Sequence, residues 1–425
     1  MSKIVSCERL NSLGEFDQRG RLFVNPKTAT VTDLSDLVLL TCGVDTVRQM
    51  YKGRLRPEVL ELFEEPRIVS FAGYAWHAGK VGKDSGYQYK LQNSDLGLIL
   101  LIKNYNVQKE EQGPHLKIEV SPHLIKQNEP ARLQKMLDSL ADQVLTEARP
   151  NYCAVHIAMD VQGWEPPSNT VERMHCRSQK VRDINGISDF VYAANASVYG
   201  RGETYMFGSP GAVQLSIYNK TKQAKATDKL DYWESVWGLS WADLETPLYD
   251  KTRDVWRIEL RFHHSVVKQF AEGSFNLTTG ETINPLNYAD LSPHLCGLWK
   301  YGFNSFKLLS AQSSKVIAPE WSIFTNDLMP ETGRSSLLDE TEYKRYYKTA
   351  AGFSGKNVEL FLGNFVSLLA RERQGATKGF RELKKSVLWP TIKEFFENKE
   401  QGEQEIYNWI RDKLTERTIR WGVAV

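Results

Sequence analysis

Two runs, Ser197 to Phe207 and Val213-Gln-Leu-Ser-Ile-Tyr-Asn219, are rich in apolar and β-forming residues and are joined by Gly208-Ser-Pro-Gly211. Glycine and proline in so short a link are turn chemistry, so the pair is predicted to be a β-hairpin. A hairpin makes neighbouring strands antiparallel, whereas parallel strands need a long crossover. Working outward, Val255-Trp-Arg-Ile-Glu-Leu-Arg-Phe262 alternates as a strand and Ser265 to Ala271 continues as a helix. Upstream, Tyr152-Cys-Ala-Val-His-Ile-Ala-Met-Asp-Val161 has the apolar density of a buried strand. Before it, Leu133, Met136, Leu137, Leu140, Ala141 and Val144 follow helical spacing between Pro130 and Ala148, and Pro150 closes that element. Residues 37 to 50, 86 to 105 and 115 to 121 are further strand candidates, and Pro57 opens a short helix over Arg56 to Glu65. Strands mixed with helices and linked by tight turns predict an α+β fold with a central antiparallel sheet flanked by helices.

The pattern changes from Ser335 onward. Val358, Phe361, Leu362, Phe365, Leu368 and Leu369 form a helical stripe, and Trp389 to Phe396 and Glu405 to Leu414 are two more helices. A boundary between 305 and 335 divides the chain into a sheet domain, 1–305, and an all-helical domain, 306–425. The 425 residues carry 54 Lys and Arg against 52 Asp and Glu, so an anionic partner must be met by local patches and not by an overall field. Five cysteines, widely spaced and without a CxxC pair, argue against a disulfide framework or a zinc finger and for a reduced compartment. The start of the chain lacks the apolar stretch of a signal peptide, and the greasiest run, Leu96 to Ile102, is far short of the roughly 20 apolar residues of a membrane helix. The expectation is a cytoplasmic protein without a membrane partner.

Three strand segments hold the chemistry. His156 and Asp160 lie four apart on one strand, so they share a face at about 13 Å, too far to reach one metal on a flat strand unless a bulge narrows the gap. Glu259 shares its face with Arg257 and Arg261. In the bland reading Glu259 pairs with its arginines and His156 is a hydrogen-bonded core histidine. Tyr218, near the end of its strand, precedes Lys220, Lys222 and Lys225. Most such tyrosines are amphipathic strand residues, but phosphoryl transfer to a phenol needs cations or a metal on the phosphate oxygens, and Lys220 with a divalent ion would supply them. Gly73 to Gly86 is glycine-rich, yet neither Gly-Lys is followed by Ser or Thr, so no P-loop is present there. His263 and His264, taken as strand residues, face opposite sides and do not chelate together. Arg371, Arg373, Lys384 and Lys385 belong to a basic cluster with Phe380 and Trp389 nearby, suited to phosphate contact and equally to a solvated helix face.

Phe207-Gly-Ser-Pro-Gly-Ala-Val-Gln-Leu-Ser-Ile-Tyr-Asn-Lys220, followed by Trp256-Arg-Ile-Glu-Leu-Arg261, resembles the replication initiation factor family, the Rep_trans type of rolling-circle initiator. Gly43-Val-Asp-Thr-Val47, Leu116-Lys-Ile-Glu-Val-Ser-Pro122 and His156-Ile-Ala-Met-Asp160 resemble its other strand motifs in the same order, over roughly residues 40 to 265. The last third carries no matching motif, and the length is most like the initiators of Pf-type filamentous phages and prophages. The resemblance implies an HUH-endonuclease-like sheet and a nickase and ligase. Its nucleophile is Tyr218, which attacks an origin phosphodiester and leaves a 5′-phosphotyrosine and a free 3′-OH. It implies Mg²⁺ or Mn²⁺ held by Asp160 and Glu259, with His156 where the family has an acid, a departure that leaves the metal open. Lys220 would offset developing charge, and Lys222, Arg257 and Arg261 would grip DNA. Single-stranded and duplex origin DNA and a host DNA helicase are the implied partners, with room for a homodimer. Two rivals stand beside it: an origin-binding regulator of the same ancestry that does not cleave, and a phosphodiesterase that uses water and leaves Tyr218 dispensable. Glu119 is either a further ligand or a solvent-facing strand carboxylate.

Overall fold

The computed structural model describes residues 4–10, 21–65, 67–82, 86–176, 204–239, 248–277, 280, 282–328, 330, 341–342, 355–397 and 401–420. Ten strands form one antiparallel sheet: β1 (Val38–Leu55), β2 (Arg67–Phe71), β3 (Tyr74–Lys80), β4 (Tyr87–Asn93), β5 (Leu98–Asn104), β6 (Gly113–Val120), β7 (Leu145–Gln162), β8 (Thr204–Gly208), β9 (Val213–Asn219) and β10 (Trp256–Phe262). Their order across the sheet is β8-β9-β10-β7-β1-β6-β5-β4-β3-β2. The predicted hairpin is β8 and β9, with Phe207 opposite Leu215; its stretch 197–203 lies outside the described residues. Gly208 turns that hairpin at φ +90°, and a Cβ there would fall 2.2 Å from the Val213 carbonyl oxygen, so no other residue fits.

Strand β2 lies just before the glycine-rich stretch and β3 within it, and their alternation is weak because an outer hairpin buries only Val69, Trp76 and Ala78 and leaves Ile68 and Tyr74 exposed. Period-two alternation gives the central strands two unlike faces. One face carries Val155, Ile157, Met159 and Val161 of β7 with Ile258, Leu260 and Phe262 of β10. Helices α1 (Pro130–Val144) and α4 (His264–Gly273) cover it with Leu133, Leu137, Ala141, Val266, Val267 and Phe270. The same core takes in Phe306 and Leu308 and, from α5 (Pro319–Asn326), Trp321 and Phe324, beyond the boundary placed at 305. His263 and His264 sit at the start of α4 and not on a strand; the His263 ring accepts from the Ser265 N–H, and the two rings lie 4.0 Å apart.

The C-terminal helices α6 (Gly355–Arg371), α7 (Ala376–Lys385), α8 (Trp389–Glu397) and α9 (Glu403–Arg420) close on a second core of Val358, Leu362, Val366, Leu383, Ile392, Phe396, Ile406 and Ile410. Leu368, read as part of the apolar stripe, is 57% exposed, since a straight helix turns that position away from its neighbours. Among the described residues no helix is long and apolar enough to cross a membrane.

Candidate active site on the polar face of the sheet

The opposite face of β9, β10, β7 and β1 is polar, and the register stacks its residues in rows. Tyr218, Arg257, Asp160 and Thr41 form one row; Ser216, Glu259, Ala158 and Gly43 the next; Gln214, Arg261, His156 and Thr46 the third. The middle row is small apart from Glu259, and a Cβ at Gly43 would meet nothing within 4 Å. Long side chains of the outer rows can therefore lean inward over the sheet.

Two bulges in β1 complete the arrangement. The pairing jumps from Thr46 opposite His156 to Val44 opposite Ile157, which leaves Asp45 as an extra residue, and from Thr41 opposite Asp160 to Leu39 opposite Val161, which does the same to Leu40. Asp45 is thereby aimed at Arg257, which pairs with it through Nη1. Leu40 leaves the main core and joins Ala224, Trp233, Trp237 and Val255 in a small core on the polar side. That cluster seats α2 (Lys220–Ala226), capped by the Asn219 side chain on the Lys222 N–H, and α3 (Leu230–Leu239). Trp233 and Trp237, four apart on α3, face the sheet together.

The charges then fall into two linked nets. Arg257 forks onto Asp160, Nε to Oδ1 at 2.6 Å and Nη2 to Oδ2 at 2.8 Å, and the Trp237 indole N–H and the Thr41 hydroxyl also donate to Oδ2, at 2.8 and 3.3 Å. Burial alone would raise the Asp160 carboxyl, but the Arg257 charge and hydrogen bonds hold it below its usual value. Beside this, the Tyr218 hydroxyl donates to Glu259 Oε2 at 3.0 Å. His156 Nδ1 lies 3.0 Å from Oε1, and Arg261 donates through Nε at 2.8 Å and Nη2 at 3.3 Å. Burial pushes Glu259 up; the hydrogen bond from His156 and the Arg261 guanidinium win and keep it well below the carboxylate range. Burial, reinforced by the Glu259 charge, raises the Tyr218 phenol well above its ordinary 10. Lys220, 4% exposed, stacks its Nζ 4.2 Å from the Trp233 ring centre, donates to Gln223 Oε1 at 2.8 Å, and is lowered to about 7 by burial and then by Arg257.

His156 and Asp160 have separate partners, in keeping with their spacing on β7. A divalent ion needs several donors free to turn toward it. Both carboxylates of the expected metal set have each oxygen engaged by a cation, an indole, a hydroxyl or a histidine, and among the described residues no three His, Cys, Asp or Glu side chains converge to hold an ion. The residues in this arrangement do not fit a metal, because guanidinium groups occupy the positions around the carboxylates that an ion would take.

Of the DNA-binding candidates, Arg257 is 2% exposed and bound to Asp160 and Asp45, not to Glu259, whereas the Arg261 side chain is 32% exposed. Lys222 is exposed on α2. Arg371, Arg373, Lys384 and Lys385 are exposed on the helical unit, with Lys384 paired to Glu403 at 2.6 Å and Lys385 to Glu382 at 3.0 Å. Glu119 pairs with Arg48 at 3.2 Å and lies 3.9 Å from Lys117. Asp45, Trp233 and Trp237 were not singled out from the sequence. An acid inside the apolar strand Gly43 to Val47 and tryptophans at i and i+4 were the available signals.

No family model matches the chain. It is 50% identical over 423 residues to "Uncharacterized protein ORF430" of Pseudomonas phage Pf1, covering 98% of this chain and 97% of that protein. The chain therefore belongs to the family of the Pf1 ORF430 protein.

Proposed function

We propose that the chain is a rolling-circle replication initiator that nicks and rejoins one DNA strand through Tyr218, on a sheet of HUH-endonuclease type. The observation that carries this reading is the Tyr218 hydroxyl resting on the Glu259 carboxylate at 3.0 Å, amid Arg257, Arg261 and Lys220. The relation to a protein of Pseudomonas phage Pf1 agrees with the Pf-type phage resemblance of the sequence.

In the reaction Arg261 turns from Glu259 to the phosphate, which restores basicity to that carboxylate, and the phenol oxygen attacks the scissile phosphorus while its proton passes to Glu259. The bond from phosphorus to the 3′-oxygen breaks, and that oxygen takes a proton from Lys220, whose amine near 7 is partly protonated at neutral pH. Arg261, the accessible guanidinium, meets the negative charge that builds on the phosphate. The phenol stays protonated until substrate arrives, so the nucleophile is not spent on other electrophiles. Reversal with a new 3′-OH rejoins the strand without ATP. Unwinding falls to a host helicase, and the exposed lysines and arginines of α6 and α7 suit duplex origin DNA.

The saturated carboxylates favour one rival, a non-cleaving origin-binding regulator. Labelled single-stranded oligonucleotides tiling the genome that encodes the chain, incubated with it in Mn²⁺ or in EDTA and run on a denaturing gel, separate the readings. A covalent protein–DNA band in both buffers, reduced about a thousandfold or more in Tyr218→Phe, is the expected result. Cleavage surviving in that variant would mean that water is the nucleophile, and binding without cleavage on any oligonucleotide would mean a regulator.

A further inference from the structure

Beside the Tyr218 cluster, and sharing Asp45 and Lys220 with it, a cleft of about 510 Å³ opens between the β4–β5 turn, β1 and helices α2 and α3. That volume lies in the range of small-molecule sites, about 300–1,000 Å³. Its walls are of two kinds. Aromatic side chains come from Tyr232 and Trp233 of α3 and from His123, with Tyr232 set edge-on to His123 at 6.5 Å and to Trp233 at 5.2 Å. Cations come from Lys220, Lys229 and Arg48, the last paired with Glu119 at 3.2 Å, and carboxylates from Asp45 and Glu119. The Tyr232 hydroxyl is buried, yet it finds no hydrogen-bond partner among the described residues. A buried hydroxyl without a partner is costly, and a group in the cleft toward which Tyr232 turns that hydroxyl would recover the cost. The other polar walls are largely committed: the Asn93 side chain holds its own turn through the Leu96 N–H, and Ser121 and His123 bond to each other at 3.0 Å.

Aromatic faces, an unpartnered phenolic hydroxyl and lysines on one side are the recognition chemistry of a nucleotide: the base stacks or packs on the rings, its edge accepts the hydroxyl once Tyr232 turns, and its phosphate meets Lys220 and Lys229. We propose that this cleft receives the unpaired base of a nucleotide adjoining the phosphate that Tyr218 attacks. The proposal rests on the strand-transfer reading only in placing that nucleotide next to an attacked phosphate, because the continuity through Asp45 and Lys220 is geometric. In it Tyr232 is a specificity-determining residue: base-dependent contact in the cleft fixes which linkage along a single strand stands over the nucleophile. A duplex, with its bases stacked and paired, cannot fill the cleft, so the cleft selects melted DNA.

The test measures fluorescence anisotropy of the full chain with three 5′-labelled 12-mers, dT12, dA12 and an abasic chain of equal phosphate number. The wild type should bind at least one base-bearing 12-mer about tenfold or more tighter than the abasic chain, as stacking of even one base provides. Tyr232→Ala should lose about tenfold on that oligonucleotide and stay within twofold on the abasic chain, which also reports an intact fold. Tyr232→Phe, which removes only the hydroxyl, should lose about threefold on the base-bearing chain alone. Equal losses on both chains, or no loss on either, overturn the proposal. Adduct formation by the wild type is scored separately. Base preference that depends on Tyr232 but comes without any adduct supports the cleft and sinks the strand-transfer reading. An adduct without such preference sinks the cleft alone.

Discussion

Lys220 and Lys384 are the same amino acid in opposite surroundings. Lys220 is 4% exposed on the polar face of the sheet, stacked on Trp233 and pulled down to about 7 by burial and Arg257. The Lys384 side chain is 42% exposed on α7 and pairs directly with Glu403 at 2.6 Å on the surface. The contrast extends to their regions. On the sheet, cross-strand register brings acids and bases together away from water, where a charge without its partner is expensive. In the helical unit the charges sit on the outer face of a small bundle, where water and salt screen each pair. Both regions are rich in charged residues; burial makes one a coupled network of charges and the other a surface.

Substitutions can break this contrast at graded depth. The largest effect is expected at Arg257→Ala, which strands Asp160 at 0% exposure without its fork and should cost about 3–5 kcal/mol in urea denaturation. If that variant melts like the wild type, Asp160 has another partner and the net is not what holds the face together. Next comes Lys220→Met. Its folded-state amine titrates near 7 against an ordinary 10.5, so between those values the unfolded chain binds more protons and the wild type gains stability as pH rises. Below pH 7 the whole cost of burying an ammonium remains. Lys220→Met should therefore be more stable than the wild type at pH 6.5, with the advantage fading toward pH 10, in parallel urea titrations. An advantage that does not change with pH would show that the amine is not depressed.

A smaller loss, about 1–2 kcal/mol, is expected for Trp237→Phe, which keeps the ring in the small core but removes the N–H that reaches Asp160 at 2.8 Å. The smallest change belongs to the helical unit: Lys384→Ala should shift stability by less than about 0.5 kcal/mol. A loss as large as that of Trp237→Phe would mean that the surface pair is part of a tighter network and the contrast between the regions would blur.

Much of the sheet was legible because alternation is a local signal. The strands Val213–Asn219 and Trp256–Phe262 and the helices Pro130–Val144 and His264–Gly273 stand where spacing, proline and turn residues put them. The hairpin Arg67–Phe71 and Tyr74–Lys80 was not legible, since few of its residues face a core. For the site, the sequence singled out Tyr218, Lys220, Asp160, Glu259, His156, Arg257 and Arg261, all of which lie on or against one face of four strands. It did not say which acid takes which base. The bulges at Leu40 and Asp45 decided that, and a bulge depends on how two distant strands are paired.

What the chain determined by itself is which residue types alternate on each strand, because side chains point to opposite sides at every step whatever lies next door. Only the tertiary structure decided that Arg257 serves Asp160 and Asp45 while Arg261, His156 and Tyr218 serve Glu259, and that two tryptophans roof the cluster. Those choices turn on register, on extra residues in β1 and on what α3 excludes from water. Electrostatic energy depends on distance and on dielectric, and neither is written in the order of residues along a strand.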